Sequence, residues 1–168
     1  MARSKADNLP AKKPSPPQKL RIGGDGFDAE VYNDIATSAS LLDVRLVESS
    51  FAIRPECIGV LNDSGESPMF QFSGKVESIA LSKSGICVGT YVWTADIKDN
   101  RLKALKIKSK YIIAYGNLKG KDLKYVGLYF EKLAKFTSFP YFRSLMATHV
   151  SAANLVLPPL PSITDRVD

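Results

Sequence analysis

Residues 69–81 read Met-Phe-Gln-Phe-Ser-Gly-Lys-Val-Glu-Ser-Ile-Ala-Leu. Phe70, Phe72, Gly74 and Val76 fall on one side of an extended chain, and Gln71, Ser73, Lys75 and Glu77 on the other. That period of two is the mark of a half-buried strand. Ser82-Lys83-Ser84-Gly85 ends it with a turn signal. Downstream, residues 86–97 are β-branched and aromatic, with Val88, Tyr91, Val92 and Trp93. Asp99-Asn100 marks the next turn, and residues 103–115 alternate Leu105, Ile107, Tyr111, Ile113 and Tyr115 with Lys106, Lys108 and Lys110. Upstream, residues 43–54 put Val44 and Leu46 on one phase and Phe51 and Ile53 on the other, which predicts a bulge near Ser49-Ser50. Short turns between successive strands predict an antiparallel meander.

Helical periodicity brackets the strands. Val31, Tyr32, Ile35, Ala36, Ala39 and Leu42 keep the i, i+3, i+4 spacing, with Asp28 as N-cap and Glu30 in the first turn. Val126, Tyr129, Phe130, Leu133 and Phe136 form a second apolar stripe. Ser138-Phe139-Pro140 predicts an interruption and a restart, because a proline at the first helical position gives up no hydrogen bond. Phe142, Leu145, Met146, His149, Val150 and Ala153 line the restarted helix, which Asn154 can stop in the left-handed conformation. Residues 155–161 hold three prolines and must run extended. The expected fold is α+β: a four-stranded antiparallel sheet (meander), a short N-terminal helix, and C-terminal helices packed on one side. Residues 1–26, rich in lysine, proline and glycine, read as a solvated basic tail, 27–163 as a single domain, and 164–168 as a short C-terminal tail.

The 168 residues are 45% hydrophobic and 24% charged, enough for a core and against general disorder. No apolar run is long enough to cross a membrane, and residues 1–21 lack the apolar stretch of an export signal, so a cytoplasmic location is expected. The net charge of +6 is uneven: +5 over residues 1–21, −7 over 22–97, +8 over 98–135 and zero over 136–168. Chemistry has little to work with. His149 is the sole histidine and Ser151 points away from it on a helix, so no nucleophile–base pair forms. Cys57 and Cys87 have no CxxC spacing and read as reduced packing residues. No phosphate-binding glycine motif occurs, and neither enzyme activity nor a cofactor is expected. The lysines at 98, 103, 106, 108, 110, 119, 121 and 124 offer one rival reading, a nucleic-acid-binding adaptor centred on residues 103–124. They include no arginine for bidentate base readout, and exposed strand lysines also guard against edge pairing.

Phe139-Pro140-Tyr141-Phe142-Arg143, a following amphipathic helix, and Leu157-Pro158-Pro159-Leu160 together resemble the C-terminal signature of the SecB protein-export chaperones. Leu46-Val47-Glu48-Ser49-Ser50-Phe51 resembles their first strand, and the helix before it is similar to that of the SecB-like chaperones accompanying toxin–antitoxin systems. The resemblance spans roughly residues 28–160. It implies an ATP-independent holdase that keeps clients unfolded in apolar grooves between sheet and helix. The clients would be preproteins for Sec-dependent export or a dedicated client such as an antitoxin. It also implies a homo-oligomer, a dimer or a dimer of dimers (homotetramer), without membrane insertion. In the motif, Pro140 is expected to start a helix, Phe139, Tyr141 and Phe142 to pack it on the sheet, and Arg143 to bond a neighbouring backbone group or carboxylate. Phe136, Leu155, Val156, Leu157 and Leu160 are the expected client contacts. Glu48 matches an acidic position at which the Sec motor ATPase docks, but Ala52 stands where another acid is expected and the fourth strand is basic.

Overall fold

The computed structural model describes residues 27–62, 70–99 and 102–163. Their elements are α1 (Ala29–Ser38), β1 (Ser40–Ile53), a short 3-10 turn (Pro55–Cys57), α2 (Ile58–Asn62), β2 (Phe70–Leu81), β3 (Cys87–Asp99), β4 (Leu102–Gly116) and α3 (Leu123–Ala152). All strand pairs are antiparallel, in the order β1-β4-β3-β2. The expected sheet is therefore present, but only β2, β3 and β4 form a meander. β1 lies on the far edge beside β4, and its connection to β2 passes through the 3-10 turn and α2. The bulge read from the phase change in β1 is real and falls between Leu46 and Glu48, two residues earlier than expected. A second shift separates Leu41 from Asp43, so Leu42, expected at the end of α1, belongs to the strand.

Asp28 caps α1 as expected, its Oδ1 accepting from the amides of Glu30 (2.9 Å) and Val31 (3.3 Å). α1 is fastened to the start of α3 by the Tyr125 hydroxyl, which accepts from the Asp28 amide, and by a Lys121–Asp34 ion pair. Asp122 caps α3, which runs for 30 residues, about 45 Å, along one face of the sheet. The sequence predicted two helices with a restart at Pro140. The structure has one, with Pro140 in its interior. Ser138 shows how the helix survives. Its hydroxyl donates to the Ala134 carbonyl (2.6 Å) and accepts from Trp93 Nε1 (2.8 Å), tying this turn to β3. Phe139 and Phe142 are both buried against Trp93, so tertiary packing outweighs the local break.

The core lies between the sheet and α3. Trp93, Phe130 and Phe142 are its largest fully buried side chains besides Tyr111. Gly89 on β3 admits the Phe130 ring: a Cβ there would stand 2.3 Å from the ring's Cζ. Cys57 and Cys87 are both buried and unbridged. Burial pushes the Cys87 thiol up to about 11, which leaves almost no thiolate near neutral pH.

On the opposite face of the sheet, Lys110 reaches across Val92 to Glu77 (2.8 Å) on one side and Glu48 (3.6 Å) on the other. This Glu48–Lys110–Glu77 chain spans all four strands and leaves Val92 only 3% exposed on a face that, among the described residues, carries no helix. The Lys110 hydrogen bond holds Glu77 below its ordinary 4.5, and the same bond holds Lys110 above 10.5. A depressed carboxyl contributes stability above its unfolded value and loses it as pH falls through the folded one. A raised lysine contributes below 10.5 and loses it as pH rises through the folded value. The Lys110–Glu77 pair is therefore fully formed between about 4.5 and 10.5. Lys110→Met should flatten the decline of stability below pH 4.5 relative to the unsubstituted protein. Parallel urea curves across that range would check it, and identical slopes would refute the linkage.

Candidate functional site

Past α3 the chain stops its helix at Asn154, in the left-handed conformation (φ 53°), and turns back along the helix as an extended segment, residues 155–163. The Val156 amide donates to Asn62 Oδ1 (3.0 Å), so α2 latches this segment in place. Leu155 and Leu160 anchor it in the core, Leu160 being 1% exposed. Between segment and helix runs a trough made of two hollows. The first, about 300 Å³, is walled by Met146 and Val150 of α3 and by Leu155, Leu157 and Leu160. The second, about 590 Å³, is walled by Phe136, Phe139 and Pro140 on the helix and by Pro159 and Ile163. Arg143, Ala147 and Pro159 border both, so the two hollows adjoin. Pro140 has no N–H to give the carbonyl of Phe136, one turn earlier, so that carbonyl lacks its helical donor.

The structure brings most of the sequence-predicted contacts to this trough and redistributes their roles. Leu155, Leu157 and Leu160 line the first hollow and Phe136 the second. Leu155 and Leu160 are floor rather than free surface, because they are also core residues. Val156 lines neither hollow, its side chain lying 71% exposed. Pro158 and Pro159 border the first hollow. The motif divides differently from expectation. Phe139 and Phe142 pack on the sheet, whereas Tyr141 is 53% exposed, since a helix carries positions 139 and 142 on one side and 141 on another. Tyr141 instead borders a separate hollow of about 280 Å³ with Val44 and Leu46 of β1. Pro140 begins no helix, and Arg143 makes no hydrogen bond or ion pair among the described residues. Arg143 as a trough residue was not legible from its motif. The only available signal was that no other lysine or arginine occurs between positions 136 and 165.

The remaining candidates are committed elsewhere. His149 stacks on Phe51 (4.8 Å, 8°) with Nε2 3.5 Å from Ser49 Oγ, the satisfied half-buried histidine expected. Glu48 lies on the helix-free sheet face between Lys108 (3.9 Å) and Lys110. Of the lysines read as a stripe, Lys103 pairs with Asp96, Lys121 with Asp34, and Lys108 and Lys110 with Glu48, which neutralises much of it. Among the described residues no cluster of histidine, cysteine and carboxylates could hold a metal ion, and no helix is long and apolar enough to cross a membrane.

The antiparallel sheet in the order β1-β4-β3-β2, crossed by one long C-terminal helix, is similar in fold to a SecB-like chaperone. No family model and no curated protein matches the sequence. Among solved structures, the chain is similar to the Mycobacterium tuberculosis SecB-like chaperone Rv1957, solved in complex with a ChAD peptide from the HigA1 antitoxin (Rv1956). The TM-score is 0.64 at 12% identity, over 82% of this chain and 99% of that one. The likeness is one of fold.

Proposed function

We propose that this chain is an ATP-independent chaperone that holds extended, apolar polypeptide segments in the trough between α3 and residues 155–163. The observation that carries the reading is the trough itself: two adjacent hollows of about 300 and 590 Å³, open at the surface, the larger one mainly apolar. Apolar burial is weakly selective for sequence and needs no nucleotide, which suits a surface that accepts unfolded chain. The peptide-bound state of the structural neighbour supports a polypeptide occupant. A dedicated client, such as an antitoxin, is favoured over preproteins handed to the Sec motor ATPase, because Glu48, the matching docking position, is already engaged by two lysines. Assembly as a dimer or a dimer of dimers is supported by β1, an edge strand that exposes Leu41, Leu42, Leu46 and Val47.

The test is suppression of aggregation of a reduced, unfolded test protein without ATP, at low and at moderate salt. Salt-tolerant suppression near one oligomer per client is expected. Absence of suppression at every ratio would sink general holding activity. Polyanion binding that collapses with salt, without suppression, would favour the lysine-based adaptor instead.

A further inference from the structure

We infer that the trough selects client segments carrying an acidic residue between apolar ones, with Arg143 as the group that reads the acid. This rests on the chaperone reading and specifies its substrate class. Among the described residues Arg143 is the only charged one lining either hollow, and it borders both. Among the described residues no carboxylate stands within ion-pair distance of it. A guanidinium stays charged at any physiological pH and presents a planar fork that fits a carboxylate in bidentate fashion. A purely apolar segment lying across the trough would strip water from that cation and give nothing back, a penalty for burying an unpaired charge. A lysine there would add like-charge repulsion. An aspartate or glutamate would pair with the fork while its apolar neighbours entered the hollows on either side. Side chains two apart on an extended segment share a face, so a carboxylate flanked at that spacing by aliphatic residues matches an arginine flanked by two hollows.

The chain has its own candidate carboxylate. Asp165 follows Ile163, which lines the second hollow, by two positions and lies outside the described residues. The experiment must separate the two sources.

Fluorescence anisotropy on the full chain would compare a short labelled peptide of leucine and valine around a central aspartate with its asparagine and lysine counterparts. The aspartate peptide should bind on the order of tenfold tighter than the asparagine one, the scale of a hydrogen bond to a charged group. The lysine peptide should bind weakest. Arg143→Gln should erase the aspartate preference, bringing the aspartate and asparagine peptides to similar affinities, with the Trp93 emission unchanged because Arg143 is exposed and holds nothing in the fold. Equal binding of all three peptides, or a preference that survives Arg143→Gln, would overturn the inference and leave the chaperone reading intact. Binding of none, with no suppression of aggregation, would overturn both. A preference appearing only after removal of residues 164–168 would also overturn it, assigning the arginine to Asp165.

Discussion

Phe142→Ala should lower the free energy of unfolding by about 3–5 kcal/mol, the cost of truncating a fully buried aromatic side chain. Phe142 is 0% exposed and stacks on Trp93 at 5.4 Å with the rings 10° apart. The cavity would open directly beneath the hydrogen bond from Trp93 to Ser138, on the turn that carries α3 through Pro140. The melting temperature should fall by roughly 10 °C in a domain of this size, followed by far-UV circular dichroism. Tyr141→Ala, the neighbouring aromatic substitution, should cost less than about 1 kcal/mol because that side chain faces outward. Equal losses at the two positions would show that α3 is rotated from the orientation described.

Gly89→Ala is the second large effect expected. The added methyl would stand 2.3 Å from Cζ and 2.6 Å from Cε1 of Phe130. That ring has nowhere to retreat, being fully buried and edge-on to Tyr115 at 5.8 Å. Overpacking of this kind costs about 3 kcal/mol, the upper part of the usual range, because helix and sheet must separate to relieve it. Gly59→Ala is the matched control. Nothing lies within 4 Å of its Cβ position in α2, and it should be neutral or stabilising by up to about 1 kcal/mol. Urea midpoints of the two variants would decide it. A Gly89→Ala variant as stable as its control would place α3 farther from β3 than described.

The sheet was readable because alternation is a local property: β2, β3 and β4 follow from their side-chain patterns and the turns between them. The position of β1 was not, since pairing with β4 is a long-range choice that the strand's own residues do not encode. Its slip in phase was legible, as two registers cannot share a face without an extra residue. Ser138-Phe139-Pro140 misled for a physical reason. Proline weakens a helix locally, but the burial of Phe139, Phe142 and Trp93 decides whether the helix continues, and those partners are some 45 positions apart. The apolar residues of the trough were legible as apolar. Which of them became floor, wall or plain surface depended on α3 and the returning segment meeting, and no single stretch of sequence states that.

Residues 155–163 carry no ladder or helical hydrogen bonds of their own. They are kept in place by two leucine plugs, the partly buried Leu157 and Ile163, the Asn62 latch, and a single amide bond from Leu155 back to the Val150 carbonyl. The sheet below is cross-linked along its whole width. A segment with so few backbone hydrogen bonds opens at a smaller free energy than the body it rests on. On warming, residues 155–163 are therefore expected to lift while the sheet and α3 stand, so the client holding proposed for the trough should fail at a lower temperature than the fold.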